Sequence, residues 1–228
     1  MPNAPIKGKF VSDAVLTDTI LSKLNERKDS AKPAFVFAIS MENHFSYEGD
    51  KYAEHEIDVE APALSEDDKL TLKNYVQGLH DADRELGRLT ETLKKSSRPT
   101  VVAFFGDHMG ILGEEYRAYA KTGYLKTLDE GAWSPEEYLK MHTTPFLVWS
   151  NFENPRIPKN YEKIRASNFS SVVFDAAGLS PQDAVFHAGS KAAECLPPPA
   201  SLAKDSGKCS KEVSYWKNLQ YFHLFDSE

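Results

Sequence analysis

The sequence of 228 residues has no long apolar run, few cysteines and no block of one charge. No stretch approaches the roughly 18 consecutive apolar residues of a membrane-spanning helix, and the first residues lack the apolar core of a signal peptide. We therefore expect no membrane span within these residues. Asp and Glu (34) outnumber Lys and Arg (27), and the basic residues form no long cluster, which excludes nucleic acid as a predicted partner.

The two cysteines, Cys195 and Cys209, are too few for a disulfide scaffold. They lie near the C-terminus in a stretch rich in Pro, Ser and Lys, and they fit one local disulfide or two unlinked thiols equally well. Residues 196–212 are predicted to form an exposed loop, because this composition offers little to a core.

The composition of the sequence is typical of a folded domain. Its residues are 41% hydrophobic and 27% charged, which predicts one sizeable core. Ser12 is placed to cap a helix that ends near Arg27. Residues 34–39 form a continuous apolar run, which is typical of a strand buried on both faces.

Helix and strand patterns continue to alternate along the chain. Ser65 and Asp68 form a capping-box pattern that predicts a long helix with one buried stripe. The apolar positions at helical spacing are Leu72, Tyr75, Val76, Leu79, Ala82, Leu86, Leu89 and Leu93. Residues 100–105 and 145–149 are further strand candidates, Ser134-Pro135 opens a short helix, and Asn168 to Ala177 reads as a helix closed by Gly178. This order predicts an α/β fold, layered αβα around a mostly parallel sheet.

Polar clusters with histidine follow two of the predicted strands. Glu42, Asn43 and His44 come soon after residues 34–39, and Asp107 and His108 come directly after residues 100–105 and Gly106. In open parallel sheets, ligands bind beyond the carboxyl ends of the strands. Adjacent carboxylate and imidazole donors suit Zn²⁺ or Mn²⁺ better than Ca²⁺. The spacing alone fits a capped turn with an exposed histidine as well as it fits a metal site.

Several segments around these clusters resemble one superfamily. Residues 105–110 (Phe-Gly-Asp-His-Met-Gly) are similar to the metal-binding Gly-Asp-His segment of the alkaline-phosphatase and sulfatase superfamily. Residues 40–47 resemble the Asn-His-x-x-Tyr segment of its lipoteichoic-acid synthase and phosphoglycerol transferase branch. Further resemblance lies in residues 11–13, 79–87, 142–151 and 218–226, in the same order across roughly residues 8–226.

The resemblance implies a fold and a set of roles. Residues 1–228 would be the C-terminal part of a single sulfatase-like catalytic domain that is incomplete at its N-terminus. Asp107 and His108 would ligate one divalent metal, Mn²⁺ or Zn²⁺, with Mg²⁺ as a third option. His44 would hydrogen-bond the phosphoryl group or its leaving oxygen, and Asn43 would hold that loop.

Other candidate residues are weaker. Related two-metal enzymes place a histidine near the position of His142, although a structural role fits this residue better. His80 and Asp83 have a spacing that can bind metal, but a solvated helix face explains them more simply.

The resemblance also identifies a missing group. In the family, the nucleophile is a Thr, a Ser or a formylglycine made from Cys, and it lies well before the Asn-His segment. Only 43 residues precede His44, and Thr17 and Thr19 among them are ordinary helix residues. The two cysteines lie after the metal segment and lack the sulfatase context Cys-x-Pro-x-Arg. We therefore expect no nucleophile in this chain.

These features predict a fragment of a metal-dependent phosphoglycerol or phosphoethanolamine transferase, or a phosphatase. Its substrates would be phospholipid head groups or envelope glycans, and its partner would be the missing N-terminal half of the same protein. The expected location is the periplasmic or extracellular face of a bacterial inner membrane, with anchoring helices outside this chain. The alternatives are a sulfate-ester hydrolase and a non-catalytic binding remnant of the fold.

Overall fold

The computed structural model describes residues 4–153 and 163–179, together with Lys211, Ser214 and Tyr215. They belong to two units, each described here by itself. One unit comprises Met1–Arg98 and His108–His142, and the other comprises Pro99–Asp107 and Thr143–Glu228. The cysteines and the closing segment 218–226 lie outside the described residues, as does the predicted loop 196–212 except for Lys211, which is exposed.

The first unit begins with a short hairpin and a helix. Strands β1 (Ile6–Lys7) and β2 (Phe10–Val11) pair antiparallel, and α1 (Asp13–Asn25) follows directly. Ser12 occupies the cap position as predicted, although its side chain makes no capping hydrogen bond. The hairpin therefore leads directly into the start of α1.

Helix α2 (Glu66–Lys94) is the longest element of the described chain. Its predicted cap is confirmed, because the Ser65 hydroxyl oxygen accepts from the Asp68 backbone N–H. Helix α1 packs on α2, where the Arg88 guanidinium donates to Asp18 Oδ1 at 2.8 Å and to the Ala14 carbonyl oxygen at 3.0 Å. These contacts hold the two helices side by side.

The core of the first unit lies where a long loop, α2 and two short helices meet. These are α3 (Arg117–Lys121), which follows a 3₁₀ turn at Glu114–Tyr116, and α4 (Pro135–Met141), which follows a 3₁₀ turn at Glu130–Ala132. The helix start predicted at Ser134-Pro135 is confirmed, and the structure adds a capping box in which Glu137 is the second member. The buried cluster comprises Tyr47, Leu64, Leu112, Ala118, Tyr119, Leu125 and Met141.

The second unit contains a two-stranded sheet and one helix. Strands β3 (Val101–Phe105) and β4 (Phe146–Ser150) pair antiparallel, with Ala103 opposite Val148. After a 3₁₀ turn at Ala166–Asn168, α5 (Phe169–Ala176) packs against both strands. The Phe169 ring meets the rings of Phe105 and Phe146 edge to face, with centroids 4.9 Å and 5.7 Å apart. Gly178 follows this helix at φ +68°, as its predicted closing role requires.

Two strand predictions need correction. Residues 34–39 lie outside every described strand and are exposed, with Phe35 88% and Phe37 68% accessible. Strand β3 exists, but it is only partly buried and ends in the exposed side chains of Phe104 and Phe105. Both described sheets are antiparallel, so the mostly parallel sheet stays a prediction. A buried strand needs neighbours on both sides, and these apolar segments lack such cover within the described residues.

Candidate active site

The predicted histidine His44 lies on the loop between α1 and α2 and is half-buried. Its Nδ1 lies 2.9 Å from the carbonyl oxygen of Phe45, and the Phe10 ring meets its ring edge to face at 5.4 Å. A carbonyl oxygen only accepts, so Nδ1 must carry a hydrogen. In the neutral ring the lone pair therefore belongs to Nε2, which is the nitrogen suited to meet a ligand.

Glu42 anchors the start of this loop from a buried position. Its Oε2 accepts from the backbone N–H of Asp13, the first residue of α1, at 2.8 Å. The hydroxyl of Tyr52 donates to the Glu42 carbonyl oxygen at 3.2 Å. The sequence indicated neither contact, because they join residues 29 and 10 positions apart.

Lys51 holds the backbone of His44 itself. Its Nζ donates to the His44 carbonyl oxygen and lies 4.8 Å from the ring centre of Tyr47 and 5.6 Å from that of Tyr52. Burial lowers the pKa of Lys51 to about 8, and the positive charge of Lys9 acts in the same direction. The ammonium group therefore remains largely charged at neutral pH, and it holds the loop through both a hydrogen bond and cation–π contacts.

A polar stripe of α2 receives the loop, which the sequence did not predict, although part of the predicted apolar stripe is also buried, at Leu89 and Leu93. We use "polar stripe" for Asn74, Gln77, Gly78 and Asp81, all of which are buried, whereas Leu79 is 47% exposed. Asn74 Nδ2 donates to the carbonyl oxygens of Tyr47 and Gly49, and Gln77 Oε1 accepts from the Glu56 backbone N–H at 2.7 Å. His55, which had no predicted role, places Nε2 2.8 Å from Asn74 Oδ1.

Asn43 is packed into this stripe, while the loop-holding role implied for it stays a prediction. Its carbonyl oxygen accepts from the Tyr47 hydroxyl at 2.9 Å. A Cβ added to Gly78 would lie only 2.0 Å from Asn43 Oδ1, so the missing side chain makes room for the asparagine. Glycine inside a helix costs stability, and here this cost permits the close approach.

The Gly-Asp-His turn follows β3, as predicted. Gly106 N–H donates to the Pro145 carbonyl oxygen at 3.1 Å, and the Thr144 hydroxyl donates to the Gly106 carbonyl oxygen at 2.7 Å. Asp107 and His108 are both exposed, and His108 Nδ1 lies 2.9 Å from the Met109 carbonyl oxygen. His108 therefore has the same tautomer as His44, with the lone pair of the neutral ring on Nε2.

The Asp107 and His108 donors fit a divalent metal chemically. A carboxylate and an imidazole whose Nδ1–H donates to a carbonyl oxygen are a common ligand pair, because that second hydrogen bond orients the ring. Within the described ranges, no group of three or more His, Cys, Asp and Glu side chains is arranged to hold an ion. Asp107 belongs to the second unit, whereas His44 and His108 belong to the first, so a joint site of Asp107 with either histidine stays a prediction.

The remaining candidates have local roles. His142 is the exposed C-cap of α4, where its ring stacks on Tyr138 at 3.9 Å and its Nδ1 lies 2.8 Å from the Tyr138 carbonyl oxygen. This arrangement matches the structural role that the sequence favoured. His80 lies 3.5 Å from Glu56 and Asp83 is exposed, so both belong to a solvated face as predicted.

Comparisons with known proteins identify the family of this chain. The family model described as Sulfatase matches residues 1–179. A protein of Rhizobium meliloti (strain 1021), named for cyclic beta-1,2-glucan modification, is 35% identical over 179 residues, which cover 78% of this chain and 27% of that protein. The solved structure of Streptococcus pyogenes phosphoglycerol transferase GacH in complex with sn-glycerol-1-phosphate matches with a TM-score of 0.69 and 27% identity.

The solved match covers 96% of this chain and 50% of the other chain. The chain thus spans about a quarter of the length of the curated relative and half of the solved one. The same match supports the alkaline-phosphatase-like fold that was predicted. This chain belongs to the sulfatase family of the alkaline-phosphatase superfamily, in the branch that contains phosphoglycerol transferases and resembles lipoteichoic-acid synthase.

Proposed function

We propose that this chain is the metal- and phosphate-facing part of a transferase that moves phosphoglycerol or phosphoethanolamine onto an envelope glycan or lipid. The observation that carries the proposal is the His44 loop, which buried polar contacts hold in one place and in which the lone pair of the neutral His44 ring belongs to Nε2. Residues 40–47, which include His44, resemble the Asn-His-x-x-Tyr segment of the phosphoglycerol transferase branch, and the solved relative is a phosphoglycerol transferase.

In this proposal Asp107 and His108 hold one divalent ion, Mn²⁺ or Zn²⁺, with Mg²⁺ as a third option. When bound, such an ion offsets the negative charge on the nonbridging oxygens of a phosphoryl group and activates an attacking hydroxyl. His44 has a separate role in this proposal. Its imidazolium form donates from Nε2 to a phosphoryl or leaving oxygen, while Nδ1–H stays on the Phe45 carbonyl oxygen.

The nucleophile is proposed to come from chain outside this sequence. Thr17 is buried within α1, and the Thr19 hydroxyl donates to the Val15 carbonyl oxygen at 2.7 Å, so neither is arranged as an attacking group. The relatives are two to four times longer than the matched region. We accordingly assign activity to the longer protein, at the outer face of the inner membrane. No helix in the described part of the chain is long and apolar enough to cross a bilayer.

The metal assignment predicts a localised effect of Mn²⁺ on this chain. Paramagnetic Mn²⁺ should broaden the His108 ring signals in NMR spectra, because a bound ion relaxes nearby nuclei strongly. Asp107→Ala should raise the Mn²⁺ concentration required for the same broadening at least tenfold, since the carboxylate is half of the donor pair. The matched control is Asp83→Ala, which removes an exposed aspartate on α2. Equal broadening of His108 in both variants would refute the assignment.

The exposed apolar segment 34–39 supports the proposed N-terminal partner. Phe35, Phe37 and Ile39 are 88%, 68% and 66% exposed, although solvent contact of such rings is unfavourable. We propose that strands from the rest of the longer protein cover this segment and complete the mostly parallel sheet. The occupant would be another part of the same polypeptide, because the solved relative is twice as long as its match to this chain.

This docking proposal predicts how polar substitutions affect the surface. The double variant Phe35→Ser, Phe37→Ser should lower the fluorescence of bound 8-anilinonaphthalene-1-sulfonate about twofold or more and slow aggregation, because a contiguous apolar surface is removed. The free energy of unfolding should change by less than about 0.5 kcal/mol, since neither ring contributes to the core. Ile57→Ser, at an isolated exposed apolar site, is the control. Unchanged dye binding would contradict the proposal, as would fast amide exchange of residues 34–39 in the longer protein.

Sulfate-ester hydrolysis is the second candidate, because the matching family model is the Sulfatase model. The two functions differ in the nucleophile of the longer protein. A Thr or Ser there supports the transferase, whereas a Cys followed by Pro and Arg in the formylglycine context supports the sulfatase. Turnover of a phosphoglycerol donor against an aryl sulfate by the longer protein decides between them directly.

A further inference from the structure

Three carboxyl groups are buried together at the point where the His44 loop meets α1 and α2. Asp13, Glu42 and Asp81 are 4%, 1% and 2% exposed. They come from the first turn of α1, from the loop and from the polar stripe of α2. Three negative charges in such a place would repel each other strongly at low dielectric, so their protonation determines how the loop is held.

Asp81 has enough donors to remain ionised. Lys7 Nζ lies 2.5 Å from its Oδ2, Arg84 NH2 lies 2.5 Å from its Oδ1, and Gln77 Nε2 donates to Oδ2 at 3.3 Å. Burial acts to raise the pKa of Asp81, but the hydrogen bonds, that of Lys7 first, lower it below the ordinary value. Asp81 is therefore the fixed negative charge of the group.

Glu42, unlike Asp81, lacks donors for one of its carboxyl oxygens within the described residues. Its Oε2 accepts from the Asp13 N–H, whereas its Oε1 is buried and has no hydrogen-bond partner within the described residues. Both oxygens of the Asp13 carboxyl are also buried without partners there. A carboxylate oxygen that faces other carboxylates can form a hydrogen bond only if one of them carries a proton.

We propose that Glu42 is a positioning residue for the His44 loop and that it holds a proton, which it donates to Asp81. The protonated side chain then joins three elements at once. Its Oε2 accepts from the Asp13 N–H at the start of α1, and its Oε1–H donates to Asp81 of α2. Asn43 and His44 follow Glu42 directly in the chain. Loss of this proton leaves buried carboxylates facing each other and loosens the anchor of the loop.

The charges around Glu42 agree with a bound proton. Burial raises its pKa to about 7, and the charges of Asp13 and Asp81 act in the same direction, while the Asp13 N–H acts against them. Burial likewise raises the pKa of Asp13 to about 6. The nearby cations Lys7 and Arg84 are already bound to Asp81.

The remaining neighbours do not supply a replacement counter-charge. From the loop side, Tyr52 donates to the Glu42 carbonyl oxygen rather than to its carboxyl group, and Lys51 is bonded to the His44 carbonyl oxygen. Glu85 of α2 adds a further negative charge at this place. Protons can reach the group from a cavity of about 270 Å³, whose lining includes Lys7, Ser12, Glu42, Asp81, Arg84 and Glu85.

Carbon-13 NMR of the carboxyl groups tests the proposal on this chain. The Glu42 Cδ signal should titrate with a midpoint near pH 7. The backbone amide signals of Met41 and Asn43, which flank Glu42, should move with the same midpoint, because the loop responds to the same proton. In Glu42→Gln, whose amide imitates the protonated acid, these two amide signals should stay at their low-pH positions from pH 5 to 9.

The controls separate positioning from folding. Glu42→Ala should displace both amide signals at every pH, and Glu54→Gln, an exposed glutamate in the same loop, should leave the wild-type titration unchanged. A Glu42 midpoint near 4.5 would overturn the proposal. So would a glutamine variant whose amide signals move as far as those of the alanine variant. The functional consequence rests on the proposed role of His44, but the carboxyl signal reports the proton directly, so failure of the transferase proposal would leave this result standing.

Discussion

Gly78→Ala is expected to lower the free energy of unfolding by about 2 kcal/mol, although alanine is the better helix former. The new Cβ would lie 2.0 Å from Asn43 Oδ1, 2.3 Å from its Cγ and 2.8 Å from its Cβ. Overpacking of this kind costs about 1–3 kcal/mol and shifts the backbone. We expect the loop that carries Asn43 to move rather than helix α2. Urea denaturation measures the loss, and the amide signals of Asn43 and His44 report the movement.

Gly87→Ala is the matched control on the same helix. A Cβ at position 87 meets nothing within 4 Å. The substitution should therefore raise the free energy of unfolding by up to about 1 kcal/mol through helix propensity alone. Addition of Asn43→Ala to Gly78→Ala should restore part of the loss, because it removes two of the three clashing atoms. Equal effects of the two glycine substitutions would show that α2 and the loop are not packed as described.

Asp68→Ala is expected to lower the free energy of unfolding by about 3 kcal/mol, which is the scale of breaking a buried ion pair. Asp68 is 1% exposed and accepts from Ser65, from Arg117 at 3.0 and 2.8 Å, and from Lys121 at 2.6 Å. It joins the start of α2 to α3 across the core. Arg117 and Lys121 are about two-fifths exposed and can regain water, which keeps the loss at the lower end of the range.

The pH dependence of Asp68 gives an independent measurement. The hydrogen bond of Lys121 leads the causes that lower its pKa to about 2, against the opposing effect of burial. A lowered pKa stabilises the folded state above the ordinary value of 3.8, and this contribution is lost as the pH falls from about 4 to 2. Asp68→Asn should remove this part of the acid dependence. Asp67→Asn, at the exposed neighbouring position, should retain it; loss in both variants would contradict the assignment.

The elements that the sequence predicted well are those fixed by neighbouring residues. The caps at Ser65 and Ser134 depend on a hydroxyl and a residue three positions later, and both are present. The Gly106-Asp107-His108 turn lies where the end of an apolar run placed it. Its tautomer could not be predicted, because the acceptor for His108 Nδ1 is a backbone carbonyl oxygen that only the folded turn supplies.

The errors of prediction came from the assumption that apolar side chains are buried and polar side chains are exposed. Periodicity assigned Leu79 to the buried face of α2, whereas this side chain is half-exposed and the polar stripe is buried instead. Residues 34–39 were predicted to be buried because they are apolar, although burial of a strand depends on neighbours that the segment itself does not provide. Glu42 belonged to the polar cluster after residues 34–39, but its contacts could not be predicted, since they involve Asp13 and Asp81, which are distant along the chain.

The polar stripe has a mechanical consequence. The hydrophobic effect has no preferred direction, whereas a hydrogen bond weakens steeply once its angle is lost. A slip of α2 by one residue would turn it by about 100° and shift it by about 1.5 Å, so Asn74 and Asp81 would face away from the groups they now hold. The imidazole of His44 therefore keeps its position only while this helix of 29 residues stays in one register.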